Sequence, residues 1–178
     1  LVLSLALLSW ENKLKDEAVQ YFNQLIAMNY RTEEAYLYLA RIAESEKRYS
    51  EAESYFSKIG SGPNYPSARI QLALMYADQK RTADAVRILD EAITTDARNT
   101  LKYQLAKSEV LAHAEQNHDA IAVLDEALTK HPDETSLLYS RAMLKEKVGD
   151  FEAMEADLRR VLELQPNNSA ALNALGYT

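Results

Sequence analysis

Asp84-Ala85-Val86-Arg87-Ile88-Leu89-Asp90-Glu91-Ala92-Ile93 and Asp119-Ala120-Ile121-Ala122-Val123-Leu124-Asp125-Glu126-Ala127-Leu128 nearly coincide at an offset of 35 residues. The match is one instance of a period that runs through the chain. A small or apolar residue recurs at Ala18, Ala52, Ala85, Ala120 and Met154, and four residues after each stands a bulky one: Phe22, Phe56, Leu89, Leu124 and Leu158. A second small column lies at Ala6, Ala40, Ala73, Ser108, Ala142 and Gly176. The mean period is 34 residues, shared by five copies.

Each copy reads as two helices. Apolar residues recur at helical spacing, as at Leu37, Ala40 and Ala43. An alanine column lets two helix backbones approach, and the bulky residue one turn later fills the adjoining groove. Turn signals fall between the segments. Gly149-Asp150 separates the helices of the fifth pair, His131-Pro132 and Gln165-Pro166 end second helices, and Asn99-Thr100 and Asn168-Ser169 are predicted caps. With four glycines and four prolines in 178 residues and 47 % apolar content, the composition favours a mostly helical chain with a substantial core.

A helix–turn–helix period of 34 residues with small and bulky columns resembles the tetratricopeptide repeat, and Pro166-Asn167-Asn168-Ser169-Ala170-Ala171-Leu172-Asn173-Ala174-Leu175-Gly176-Tyr177 is the stretch most similar to that family's consensus. The resemblance covers essentially the whole chain. It implies an all-α, right-handed superhelical solenoid of about five antiparallel helix pairs plus a truncated final helix, in repeats of approximately 1–30, 31–64, 65–98, 99–132, 133–166 and a partial 167–178. The chain departs from the pattern at Ser108 and Met154, in keeping the inter-helix aromatic only at Tyr49 and Phe151, and in the breaker-rich connection Gly60–Pro66. A narrower resemblance rests on Tyr55–Gly62, Arg141-Ala142-Met143 and Leu172–Thr178. These stretches are similar to proteobacterial tetratricopeptide lipoproteins of the outer membrane. That likeness implies an adaptor for a periplasmic carboxyl-terminal processing protease and a periplasmic, outer-membrane-associated location, with the cytoplasm as the alternative.

Residue chemistry points away from catalysis, cofactors and metals. There is no cysteine, which excludes disulfides and thiolate metal sites. His113 and His118 are five apart, off any shared helical face, and His131 stands at a helix end. Four glycines form no phosphate-binding loop, and no serine sits in a GxSxG turn. Glu33-Glu34 and Asp133-Glu134 fall at predicted helix starts, where the helix dipole favours carboxylates. Nucleic acid is disfavoured as well. The net charge is −7, and residues 90–178 carry the whole excess with 16 acidic and 9 basic side chains, so a polyanion would be repelled there. Most of the eleven tyrosines sit at helical spacing and read as packing residues, since base stacking needs a basic groove around it.

The expected function is therefore to hold a protein or peptide. The resemblance implies a concave face lined by the first helix of each pair, three residues before the small column and one after. The candidate partner-binding residues are Leu37, Arg41, Ile70, Leu74, Leu105, Glu109, Tyr139, Met143 and Tyr177. Because only Arg41 is basic among them, a clamp for acidic chain ends is disfavoured, and an apolar stripe suited to an amphipathic helix or extended apolar segment is expected. Packing of the same leucines between neighbouring hairpins is the competing reading.

The ends carry further expectations. The opening Leu1-Val2-Leu3-Ser4-Leu5-Ala6-Leu7-Leu8-Ser9-Trp10 lacks a basic leader and is far shorter than the ~20 apolar residues that span a bilayer. Its apolar residues on nearly every side imply burial all round, whereas Leu172 and Leu175 of the last helix are expected to lie uncovered. The chain is thus expected to be an internal piece of a longer solenoid, with self-association through its ends as one alternative role and regulation of an enzyme elsewhere in the same protein as another.

Overall fold

The computed structural model describes residues 1–176 and, among them, is all-helical. The chain divides into two compact units, Leu1–Met75 and Tyr76–Thr178.

The first unit contains α1 (Val2–Glu11), α2 (Lys15–Ala27), α3 (Thr32–Ser45), α4 (Tyr49–Ser57) and most of α5 (Tyr65–Asp78). Helices α1 and α2 pack as one hairpin and α3 and α4 as the next, with α2 also against α3. The core of these hairpins is Ala6, Ala18, Phe22, Leu25, Ala35, Leu39 and Ile42. Tyr38 stacks on Phe22 at 4.9 Å between ring centroids and 6° between planes, and Trp10 meets Tyr38 edge-on at 6.2 Å. The glycine-rich connection after α4 is held by Arg69, whose guanidinium donates to the Ile59 carbonyl at 2.8 Å.

The second unit holds α6 (Thr82–Thr95), a 3-10 turn at Ala97–Asn99, α7 (Thr100–His113), α8 (Asn117–Lys130), α9 (Thr135–Lys147), α10 (Phe151–Leu164) and the short α11 (Ser169–Ala174). Its core joins Leu111, Leu124, Leu128, Leu137, Leu138, Leu144, Leu158 and Val161 to Ala120, Ala127, Ala142 and Ala171.

Every alanine of both columns from Ala6 to Ala142 is fully buried, as is every bulky partner from Phe22 to Leu158. Ser108 joins the buried column because its hydroxyl donates to the Leu105 carbonyl at 2.8 Å, which satisfies the group within its own helix. Met154 is only half-buried.

The turns between paired helices obey a rule the sequence shows at one position only. Two residues past each first helix the backbone enters the left-handed region: Lys13 at φ 61°, Lys47 at 60°, Lys80 at 61°, Glu115 at 61° and Gly149 at 80°. In each case the next N–H closes back on the carbonyl five residues earlier, from Leu14 to Ser9, Arg48 to Ala43, Arg81 to Tyr76, Gln116 to Leu111 and Asp150 to Lys145, at 2.8–2.9 Å. This is the Schellman closure, which normally takes glycine. Only the fifth turn has it. A side chain in this conformation costs about 1–2 kcal/mol, partly offset by the smaller entropy its unfolded chain loses. Lys47→Gly and Glu115→Gly are each expected to raise stability by about 0.5–1 kcal/mol in urea titration, and Gly149→Ala to lower it by a similar amount. No change from either glycine substitution would show these turns to be unstrained.

Several expectations need correction. Helix α1 is not buried all round: only Ala6 and Ser9 are buried, while Leu8 is 55 % exposed, because its packing partners cover one side. Leu172 and Leu175 are half-buried rather than uncovered, and Leu175 packs on the core of the second unit. Asn168 does cap α11, accepting the Ala171 N–H at 3.0 Å. Asn99 does not cap α7, since its amide is turned away to donate to Asp96 at 2.8 Å.

Asp96 also accepts a 2.8 Å hydrogen bond from the hydroxyl of fully buried Tyr103, and these two donors hold its carboxyl below the usual carboxylate range. A depressed pKa contributes stability above the unfolded value near ~4 that is lost as pH falls through the folded value. Asp96→Asn is therefore expected to lower stability at pH 7 and to flatten the acid limb below about pH 4, so that the two proteins converge at low pH. Identical acid limbs in stepped-pH urea titrations would rule this out.

Candidate partner-binding face of the first helices

The first helices place the predicted site residues differently in the two units. In the first unit Leu37 is buried, at 6 % exposure, so it serves packing rather than display. Arg41 is half-buried, with its Nε donating to Gln71 Oε1 at 2.9 Å and its guanidinium 5.5 Å from the Tyr38 ring centre. Gln71 in turn donates to the Ser67 hydroxyl at 3.1 Å. Ile70 and Leu74 on α5 are half-buried. Sequence reasoning missed Gln71 and Tyr38, which lie two residues before the small column instead of three.

In the second unit four predicted residues come together. Leu105 and Glu109 of α7 and Tyr139 and Met143 of α9 line one hollow of about 290 Å³. Ala112 and Leu144 complete its apolar lining, with Ser108, Ser140 and Lys147 around them. The remaining candidate, Tyr177, lies outside the described residues. Lys147 was not among the expected residues. Its signal was the helical repeat itself, since it stands one turn beyond Met143 on the same helix.

The hollow keeps its shape because α9 is clamped behind it. Arg141 donates from Nε and a terminal nitrogen to the two carboxylate oxygens of buried Asp157 on α10, at 2.8 and 2.6 Å, and from its other terminal nitrogen to Asp125 on α8, at 2.7 Å. Lys145 adds a fourth contact, 2.9 Å from Asp157. Bidentate pairing of this kind fixes orientation as well as energy. The Asp157 hydrogen bonds raise the Arg141 pKa further above its already high value, so the charge is permanent. Glu109 and Lys147, by contrast, are exposed and have no ion-pair partner among the described residues.

Among the described residues no group of three or more His, Asp or Glu side chains could hold a metal ion, and His113, His118 and His131 are exposed and separate. Within the described residues no helix is long and apolar enough to cross a membrane.

Comparison with known proteins agrees with this architecture. The chain is 33 % identical over 144 residues to a TPR repeat-containing protein of Pseudomonas aeruginosa, covering 81 % of this chain and 24 % of that protein. It thus spans about a quarter of the length of that curated relative. Among solved structures, a thermophilic TPR protein of Thermus thermophilus matches with a TM-score of 0.65 at 20 % identity, covering 99 % of this chain and 96 % of that one. MamA of Desulfovibrio magneticus matches with 0.65 at 15 %, covering 94 % and 95 %. PilW, a type IV pilus biogenesis factor, matches with 0.66 at 17 %, covering 97 % and 84 %. At these identities the likeness to solved structures is one of fold alone. Models of the tetratricopeptide repeat match residues 3–66, 70–135 and 135–168, nearly the entire chain, and with its helix pairs and buried columns the protein belongs to the tetratricopeptide repeat family.

Proposed function

We propose that this chain is a non-catalytic scaffold that holds a segment of another protein on its first-helix face, with the α7–α9 hollow as the anchor point. The observation that carries the reading is the convergence of Leu105, Tyr139 and Met143 on an open apolar hollow whose walls are held from behind by the Arg141–Asp157 clamp. Apolar surface of this kind gains by burying a partner's side chain. The family fold supports protein binding in general.

The test compares capture from native extract by the parent chain, by a Leu74→Glu/Tyr139→Glu variant and by an Ala122→Glu control at an exposed position of α8. All three are first checked for helical content. A partner kept by the parent and control is expected to fall by about tenfold or more in the double variant, as deletion of a central aromatic contact does. Equal capture by all three would remove this face from consideration.

We extend the proposal to the cell envelope, with a periplasmic protease as a candidate partner. Its support is the similarity of Tyr55–Gly62, Arg141–Met143 and Leu172–Thr178 to outer-membrane tetratricopeptide lipoproteins. Fractionation of cells expressing the full-length protein tests the location, and recovery in the cytosolic fraction would refute it. One observation favours a second reading, self-assembly: Leu1, Leu8, Leu14, Met28 and Tyr30 are all exposed in the first helix pair and its following turn. Concentration-dependent sedimentation that Leu8→Glu abolishes would support it.

A further inference from the structure

Resting on the scaffold reading above, we infer that the α7–α9 hollow selects a partner segment with one bulky aliphatic side chain flanked by a basic residue on one side and an acidic residue on the other. The volume of about 290 Å³ suits a single anchoring side chain, not a row of them. Its lining is mainly apolar, with Leu105, Tyr139 and Met143 beside the small Ser108 and Ser140. The rim is where selection arises. Glu109 stands on the α7 side and Lys147 on the α9 side, both exposed and both without an ion partner among the described residues.

Elsewhere on the surface, charges within reach of a partner are paired. Arg81, Arg87, Arg159 and Arg160 all pair with nearby carboxylates, and Lys107 pairs with Asp90 across helices at 2.7 Å. Two opposite charges that border one apolar hollow, without ion partners among the described residues, therefore complement a segment that brings a cation to Glu109 and a carboxylate to Lys147. A segment with two acidic flanks would meet Glu109 unfavourably, and one with two basic flanks would meet Lys147 in the same way.

The probe is a short acetylated and amidated peptide, Ser-Gly-Lys-Leu-Glu-Gly-Ser, titrated into protein carrying isotope-labelled methionine methyl groups. Of the four methionines only Met143 lines the hollow, so its methyl signal reports occupancy while Met28, Met75 and Met154 serve as internal references. A saturable Met143 shift is expected. Exchanging the peptide leucine for serine should weaken binding about tenfold or more. Exchanging the peptide lysine for serine should weaken it by about two- to fivefold, the range of an exposed ion pair. That effect should vanish in Glu109→Ser protein, and the effect of removing the peptide glutamate should vanish in Lys147→Ser protein.

The inference is overturned if no saturable Met143 shift appears up to millimolar peptide. It is equally overturned if the serine peptide binds as well as the leucine one, or if the rim substitutions leave the peptide's charge preferences unchanged. Failure here is distinguishable from failure of the scaffold reading. A native partner that Tyr139→Glu loses but the rim variants keep would leave the face intact and remove only the charge selection.

Discussion

Asp157→Ala is expected to destabilise the protein by about 2–4 kcal/mol, because it strands Lys145 and leaves Arg141, largely withdrawn from water, with only Asp125. The carboxylate is only 7 % exposed, and the side chains it neutralises, Arg141 and Lys145, are 19 % and 15 % exposed. Removing one member of such a group leaves the others with their desolvation cost and without the compensating attraction, so the loss exceeds the worth of any single hydrogen bond. The partial exposure of both cations keeps the effect below that of a fully enclosed pair. A second variant separates this account from simple loss of packing. Asp157→Leu combined with Arg141→Met and Lys145→Met removes the charges together, and its stability should return to within about 1 kcal/mol of the parent. Asp125 loses its partner in that variant at little cost, since it is 53 % exposed. Urea unfolding of the three proteins decides the matter. A triple variant no more stable than Asp157→Ala would sink the stranded-charge explanation.

Leu124→Ala should cost about 3 kcal/mol, the middle of the range for emptying a fully buried leucine site. Ala120, one turn earlier, is the opposite case. It is fully buried where helix backbones approach, and Ala120→Met should cost about 1–3 kcal/mol by forcing them apart. Met154 occupies the equivalent position one repeat later and is half-buried, so Met154→Ala should cost only about 1 kcal/mol or less. The contrast between two substitutions at matched positions is the measurement of interest. A neutral Ala120→Met would show that backbone approach does not set the small column.

Much of the architecture was legible because repeats state their structure several times over. The 34-residue period, the paired helices and the buried columns all rest on side-chain volume at short sequence separation, which any one copy displays and five copies reinforce. The turns were less legible. Gly149 announced its turn, whereas Lys13, Lys47, Lys80 and Glu115 hold the same backbone conformation with side chains that give no such signal. There the hydrogen bonds closing each hairpin, and the packing of the helices they join, override local preference.

For the candidate site the division lies between register and exposure. The sequence by itself determined which positions are equivalent from repeat to repeat: Leu37, Leu105 and Tyr139 all stand three residues before the small column, and Arg41, Glu109 and Met143 one residue after it. Only the tertiary structure decided that Leu37 is buried while Leu105 and Tyr139 border an open hollow. It also decided that Arg41 is tied to Gln71 while Glu109 has no ion partner among the described residues, and that Arg141, one residue from the small column, is held by Asp157 and Asp125. The physical reason is that a helical face follows from backbone geometry within one segment. Exposure and pairing depend on the sizes and charges contributed by other helices 16 to 30 residues away, and the repeat fixes the former without dictating the latter.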